Sequence, residues 1–175
     1  VNGVGTTMDP FDADTVTARS SGFKALLDPD DPTMSDATAI DLIKWGRGQD
    51  VENNSSAARS WVMADAIHSR PFALNYGLVG GHSDQDNPNI RIFLGTGDGL
   101  FHIIENTDAA GNETGREVFA FYPRELLKNI KLHKENSRSA LKMPYGVDGA
   151  PAVFTRDLNK DGSLNHNDGD VAYVY

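Results

Sequence analysis

The clearest chemistry lies in residues 157–168, Asp-Leu-Asn-Lys-Asp-Gly-Ser-Leu-Asn-His-Asn-Asp. With Asp157 as the first position, Asn159 and Asp161 fall third and fifth, Gly162 sixth, Ser163 seventh, Asn165 ninth and Asp168 twelfth. This is the spacing of a Ca²⁺ loop. Short oxygen-bearing side chains at alternate positions can turn inward together, and the seventh carbonyl adds a ligand. The glycine permits the sharp turn round a hard cation that takes about 6 to 8 oxygens. The expected ligands are the side chains of Asp157, Asn159, Asp161 and Asn165, with Asp168, and the carbonyl of Ser163. Three carboxylates leave such a site about one charge negative, so the expected Kd is on the order of 10⁻⁵ to 10⁻³ M. Two features depart from a helix-loop-helix site: Asp168 is shorter than the usual Glu, and the Val-Ala-Tyr-Val run at 171–174 reads as strand. The loop is therefore expected at a hairpin tip. A metal-free polar turn is the alternative that Asp, Asn and Gly also allow.

Other chemical constellations are weaker. Asp65, His68 and Ser69 lie too close in sequence for a hydrolytic triad, which is assembled from separate segments. His102 stands in an apolar run and reads as a hydrogen-bonded core or interface residue, and no His pair has zinc spacing. Gly95, Gly97 and Gly99 lack the Lys-Ser/Thr and the helix of a phosphate loop. No catalytic or organic-cofactor residue is assigned, and the chain reads as a non-enzyme.

The elements that must position the loop are mostly strands. Runs at 72–76, 90–94, 100–104, 118–122 and 152–155 are short, β-branched or aromatic, and bounded by Gly, Asn and Asp. Gly97-Asp98-Gly99 predicts a tight hairpin across 90–104. Helices are expected over about 36–46, with Ser35 as N-cap, and over 123–131, opening on Pro123. Residues 1–34 carry turn clusters and no sustained apolar period, and predict loops. The expected organisation is a loop-rich segment, 1–60, with one short helix, followed by a mainly β domain, 61–175. Strand, Asp-Gly turn, strand, Thr-Gly turn and strand through 95–121 favour a blade-like antiparallel meander over a sandwich or barrel.

Length, 175 residues, suits one domain better than two. A net charge of -9 argues against nucleic acid and anionic membranes. No apolar run approaches the roughly 18 residues of a membrane span. Cysteine is absent, so no disulfide supports the fold. A weak Ca²⁺ loop suits extracellular calcium and favours an exported location.

Five motifs occur in one order: His-Ser-Arg-Pro at 68–71, Gly-Thr-Gly-Asp-Gly-Leu-Phe-His at 95–102, Glu-Val-Phe-Ala-Phe-Tyr-Pro at 117–123, Tyr-Gly-Val-Asp-Gly-Ala-Pro at 145–151, and the Asp157 loop. In this the chain resembles the C-terminal β-propeller domain of type IV pilus tip and biogenesis proteins. The resemblance covers roughly 61–175, with a looser match over 40–48. It implies an exported, cell-surface or outer-membrane protein of Gram-negative bacteria with a Ca²⁺ site on its propeller. The implied role is regulation of pilus extension and retraction and surface attachment, with minor pilins or a host or abiotic surface as partners. In that family the loop matches through Asp157, Asn159, Asp161, the Ser163 carbonyl and Asn165. Only the first blades are spanned here, so the remaining blades are expected in a longer chain. Two rivals share features: quinone-dependent dehydrogenases also build propellers, and calcium-dependent docking modules spell the loop alike but carry it twice, each followed by a helix.

Overall fold

The computed structural model describes residues 10–13, 20–136 and 144–175. The chain, whose length suggested one domain, divides into two compact units, Val1–Ala64 with Tyr122–Pro144, and Asp65–Phe121 with Tyr145–Tyr175. Residues 122–144, C-terminal to the division expected near residue 61, group with the first unit.

The first unit is helical. Helix α1 (Ser20–Leu27) lies where loops were expected, a correction to that part of the reading of 1–34, of which residues 1–9 and 14–19 lie outside those described. Phe23, Leu26 and Leu27 recur at helical spacing and reach the core, and the packing supplies what an eight-residue segment lacks alone. Helix α2 (Asp36–Gly46) begins as expected, with the Ser35 hydroxyl accepting the Thr38 N–H at 3.1 Å. Pro123, extended at ψ 133°, leads into a 3₁₀ turn, Arg124–Leu126, and helix α3 (Asn129–Glu135) follows. The helix expected over 123–131 is thus displaced toward the C-terminus, because the chain must first turn to bring Leu127 and Ile130 inward. Those two side chains join Leu27, Met34, Ala39, Leu42 and Ile43 in one buried cluster. Full burial of each Leu or Ile contributes about 1.5 to 3 kcal/mol. At its edge the Arg59 guanidinium lies 3.9 Å over the Trp45 ring and donates to the Trp45 carbonyl.

The second unit is an antiparallel meander, β1 (Phe72–Asn75), β2 (Ile90–Gly95), β3 (Phe101–Glu105) and β4 (Glu117–Phe121), hydrogen-bonded in that order. A separate two-stranded ladder joins β5 (Val153–Arg156) to β6 (Val171–Val174). The β2–β3 register, Arg91↔Glu105 through Gly95↔Phe101, closes through the expected tight turn. There Gly99, at φ 100°, supplies the left-handed residue.

Among the described residues, buried apolar side chains of the second unit are few, such as Leu74, Phe93 and Leu94 in the strands and Leu100 in the turn before β3. Polar contacts make up much of the remainder. Buried Glu105 is held by Arg91 and by Arg116, each at 3.0 Å, and the adjacent Arg116 guanidinium keeps its carboxyl below the usual range. His102, also buried, bridges Thr96 Oγ1 at 3.0 Å and Glu117 Oε2 at 2.5 Å, and the Thr96 hydroxyl donates to Asp98 Oδ1 at 2.5 Å. This row fastens the turn to β3 and β4.

Candidate metal centre

The loop 157–168 closes the far end of the β5–β6 ladder, at the hairpin tip where its flanking strands placed it. Its own short polar side chains coil it. Asp157 Oδ1 accepts the Lys160 N–H at 2.6 Å, and its Oδ2 accepts the Gly162 N–H at 2.9 Å. Asn159 Oδ1 accepts the Asp161 N–H at 3.1 Å, and Asp161 Oδ1 accepts the Ser163 N–H at 2.7 Å. Asn159 Nδ2 donates to Asp161 Oδ2 at 3.0 Å. Lys160 and Gly162 adopt left-handed backbone, φ 61° and 83°, which tightens the coil. Asp157, Asn159, Asp161 and the Ser163 backbone are thereby drawn onto one turn.

Asn165 and Asp168 belong to the next turn. Asn165 Oδ1 accepts the Asn167 N–H at 3.1 Å and caps the 3₁₀ turn His166–Asp168, in which Asp168 is exposed. Gly169, at φ 84°, ends that turn.

Sequence reasoning missed Asp170. Its carboxylate is 3% exposed and accepts the Leu158 N–H at 2.8 Å and the Asn165 N–H at 2.9 Å, joining the two limbs of the loop at their base. The available signal was an acidic residue between Gly169 and the apolar start of β6, a place where an unpaired carboxylate would be costly.

The donors present are carboxylate, amide and carbonyl oxygens, the chemistry a hard cation such as Ca²⁺ takes. Among the described residues, no group of three or more His, Cys, Asp and Glu side chains is gathered to hold a metal. The candidate loop depends instead on a mixed set, in which Asn159 and a main-chain carbonyl supplement the carboxylates.

The remaining sites named by sequence do not converge. His68 Nδ1 pairs with the Asp148 carboxylate at 2.8 Å, Ser69 Oγ accepts the Gly95 N–H at 3.0 Å, and the Asp65 carbonyl accepts the Gly97 N–H at 2.8 Å. The Thr96–His102–Glu117 row has hydroxyl, imidazole and carboxylate in sequence, but Thr96 is fully buried at 0% exposure, closing the hydroxyl end to solvent. No helix among the described residues is long and apolar enough to cross a membrane. Comparison of the chain with protein-family models, with curated proteins and with solved structures gave no match.

Proposed function

We propose that this chain is a calcium-binding, regulatory part of a type IV pilus and not an enzyme. The observation that carries the metal reading is the coil in which Asp157, Asn159 and Asp161 each accept backbone N–H groups of the same turn. Asp157, Asn159, Asp161, Asn165 and Asp168, with the Ser163 carbonyl, hold the ion, which neutralises carboxylates that otherwise repel one another. The pilus assignment is supported by the five ordered motifs and by their resemblance to the pilus-tip family. In that reading β1–β4 is one propeller blade and the β5–β6 hairpin part of the next.

Calcium then acts as a switch: the loaded and empty hairpins engage minor pilins or a surface differently, and so bias extension against retraction and attachment. The test replaces Asp157 and Asp161 together by Ala in the native protein. Export must be verified first; surface pili, twitching and attachment are then scored. Loss of calcium response in these traits is the expected result, and normal behaviour in all three removes the switch. Quinone-dependent alcohol oxidation by the intact protein would transfer the assignment to the dehydrogenase rival.

A further inference from the structure

The loop is tied to a second element, the turn that follows β1. In the β1–β2 ladder Asn75 pairs with Ile90. One step further, two residues oppose one. The Tyr76 N–H donates to the Asn89 carbonyl at 2.8 Å, while the Asn89 N–H donates to the Gly77 carbonyl at 2.9 Å. This is the arrangement of a β-bulge, and its extra residue releases the Tyr76 carbonyl from the sheet. The released carbonyl accepts the Leu164 N–H at 2.8 Å, and the Leu78 N–H donates to Ser163 Oγ at 3.1 Å. Between these two bonds Gly77 holds φ 76°, and a Cβ there would stand 2.7 Å from Gly162 O, Ser163 Cα and Ser163 Oγ. The Asn75 side chain fixes the turn from the other side, accepting the Gly77 N–H at 2.8 Å.

Ser163 therefore faces two ways. Its carbonyl belongs to the proposed ion, and its hydroxyl to the end of β1. We infer that the Tyr76–Gly77–Leu78 bulge positions the calcium loop and is reciprocally coupled to it, so that ion binding orders the β1 edge and a change in the bulge alters calcium affinity. This rests on the reading of the loop as a Ca²⁺ site. The coupling follows from geometry: drawing the Ser163 carbonyl toward an ion moves the same residue whose hydroxyl holds Leu78. By linkage, whatever the ion does to the bulge the bulge does to the ion. Gly77 and Ser163 are positioning residues here. Gly77 contributes the absence of a side chain where the two backbones meet, and Ser163 contributes an acceptor.

The experiment uses the whole chain and Ca²⁺ alone as the probe, with calorimetry for affinity and amide hydrogen exchange for the bulge. Ser163→Ala keeps the carbonyl ligand and removes only the hydroxyl, so it separates coupling from ligation. We expect it to bind Ca²⁺ about tenfold more weakly, the low end of the effect of residues that orient metal ligands. In the wild type calcium should slow exchange at the amides of Leu78 and Leu164, and in Ser163→Ala that slowing should vanish at Leu78. Gly77→Ala should weaken binding further; if it does not fold, Ser163→Ala decides alone. Wild-type affinity in Ser163→Ala, or exchange at Leu78 and Leu164 indifferent to calcium in a wild type that binds it, overturns the coupling. Absence of any wild-type calcium heat is a different failure: it removes the loop as an ion site, and the coupling with it.

Discussion

The buried carboxylate of Asp170 accepts the Asn165 N–H at 2.9 Å and so fixes where the second turn of the loop begins relative to β6. Its other oxygen takes Leu158, on the opposite limb. Asp170→Asn keeps the shape and one acceptor but sets an amide N–H₂ against a backbone N–H. The expected loss is about 1 to 3 kcal/mol of hairpin stability, the cost of a buried donor left unsatisfied. Faster exchange throughout β6 in the presence of chelator would register it; unchanged protection would mean that the clamp is dispensable.

A second close approach lies at Gly146. A Cβ there would meet the Gly99 nitrogen, and the carbonyl oxygens of Thr96 and Gly97 at 2.5 and 2.6 Å. These are backbone atoms of the β2–β3 turn and cannot rotate away. Gly146→Ala should therefore break the bond from the Val147 N–H to the Thr96 carbonyl and destabilise the second unit by about 1 to 3 kcal/mol or more. Gly149, with nothing within 4 Å of its added Cβ, is the control, and Gly149→Ala should stay within about 0.5 kcal/mol of the parent. Denaturation followed by exchange at Phe93 and Leu94 separates the two. Equal stability of the two variants would contradict the packing described.

What the sequence made legible was local. Ser35 and the apolar spacing behind it placed α2, and alternating β-branched and aromatic runs placed the strands to within a residue or two. The Asp157 spacing gave a coil in which Asp157, Asn159 and Asp161 share one turn, while Asn165 and Asp168 lie on the next. What escaped depends on contacts distant in sequence. Helix α1 is short, with Gly22 in its interior, and it is held by Leu127 and Ile130, a hundred or so residues away. Gly77 reads as an ordinary turn glycine until Ser163 is set against it. The membership of α3 in the first unit follows from where Ile130 is buried, which no local pattern encodes.

Acid and base should act on the first unit through Asp28 and Lys131, which meet at 2.6 Å. The lysine, first by its hydrogen bond, holds the Asp28 carboxyl below the usual aspartate range, and Asp28 in turn raises the Lys131 ammonium above the usual lysine range. The lowered carboxyl contributes stability above the ordinary Asp value and loses it as pH falls through the lowered one. The raised ammonium contributes below the ordinary Lys value and loses it as pH rises through the raised one. The pair thus stabilises the whole interval between these limits. Lys131→Met should cost about 1 to 2 kcal/mol at neutral pH, reduced because Lys131 is partly exposed. The difference from the parent should shrink only in strong acid or strong alkali. Both tryptophans, Trp45 and Trp61, lie in the first unit, so their fluorescence in urea melts reports it selectively. A difference that disappears already near pH 6 would rule the pair out as its source.

Calcium should stabilise the β5–β6 hairpin more than the four-stranded sheet. A two-stranded ladder is marginal by itself, and this one leaves Phe154 and Tyr173 about half exposed although their rings stack at 6.4 Å. Asp170 and the bonds to Tyr76 and Leu78 hold the loop end closed, and the charge of the loop works directly against them. Empty, it concentrates the carboxylates of Asp157, Asp161 and Asp168 at the tip; loaded, it balances most of that charge. At 100 times its Kd the ion would add about 2.7 kcal/mol to whatever unfolds with the site. Exchange at Val171, Ala172, Tyr173 and Val174 should slow by up to about a hundredfold on that scale, with a smaller change in β2 and β3. Asp161→Ala removes a central ligand and should abolish both the slowing and the calorimetric heat. Protection of β6 that is the same in chelator and in saturating calcium would show that the hairpin is held by its strands and that the loop is an ordinary polar turn.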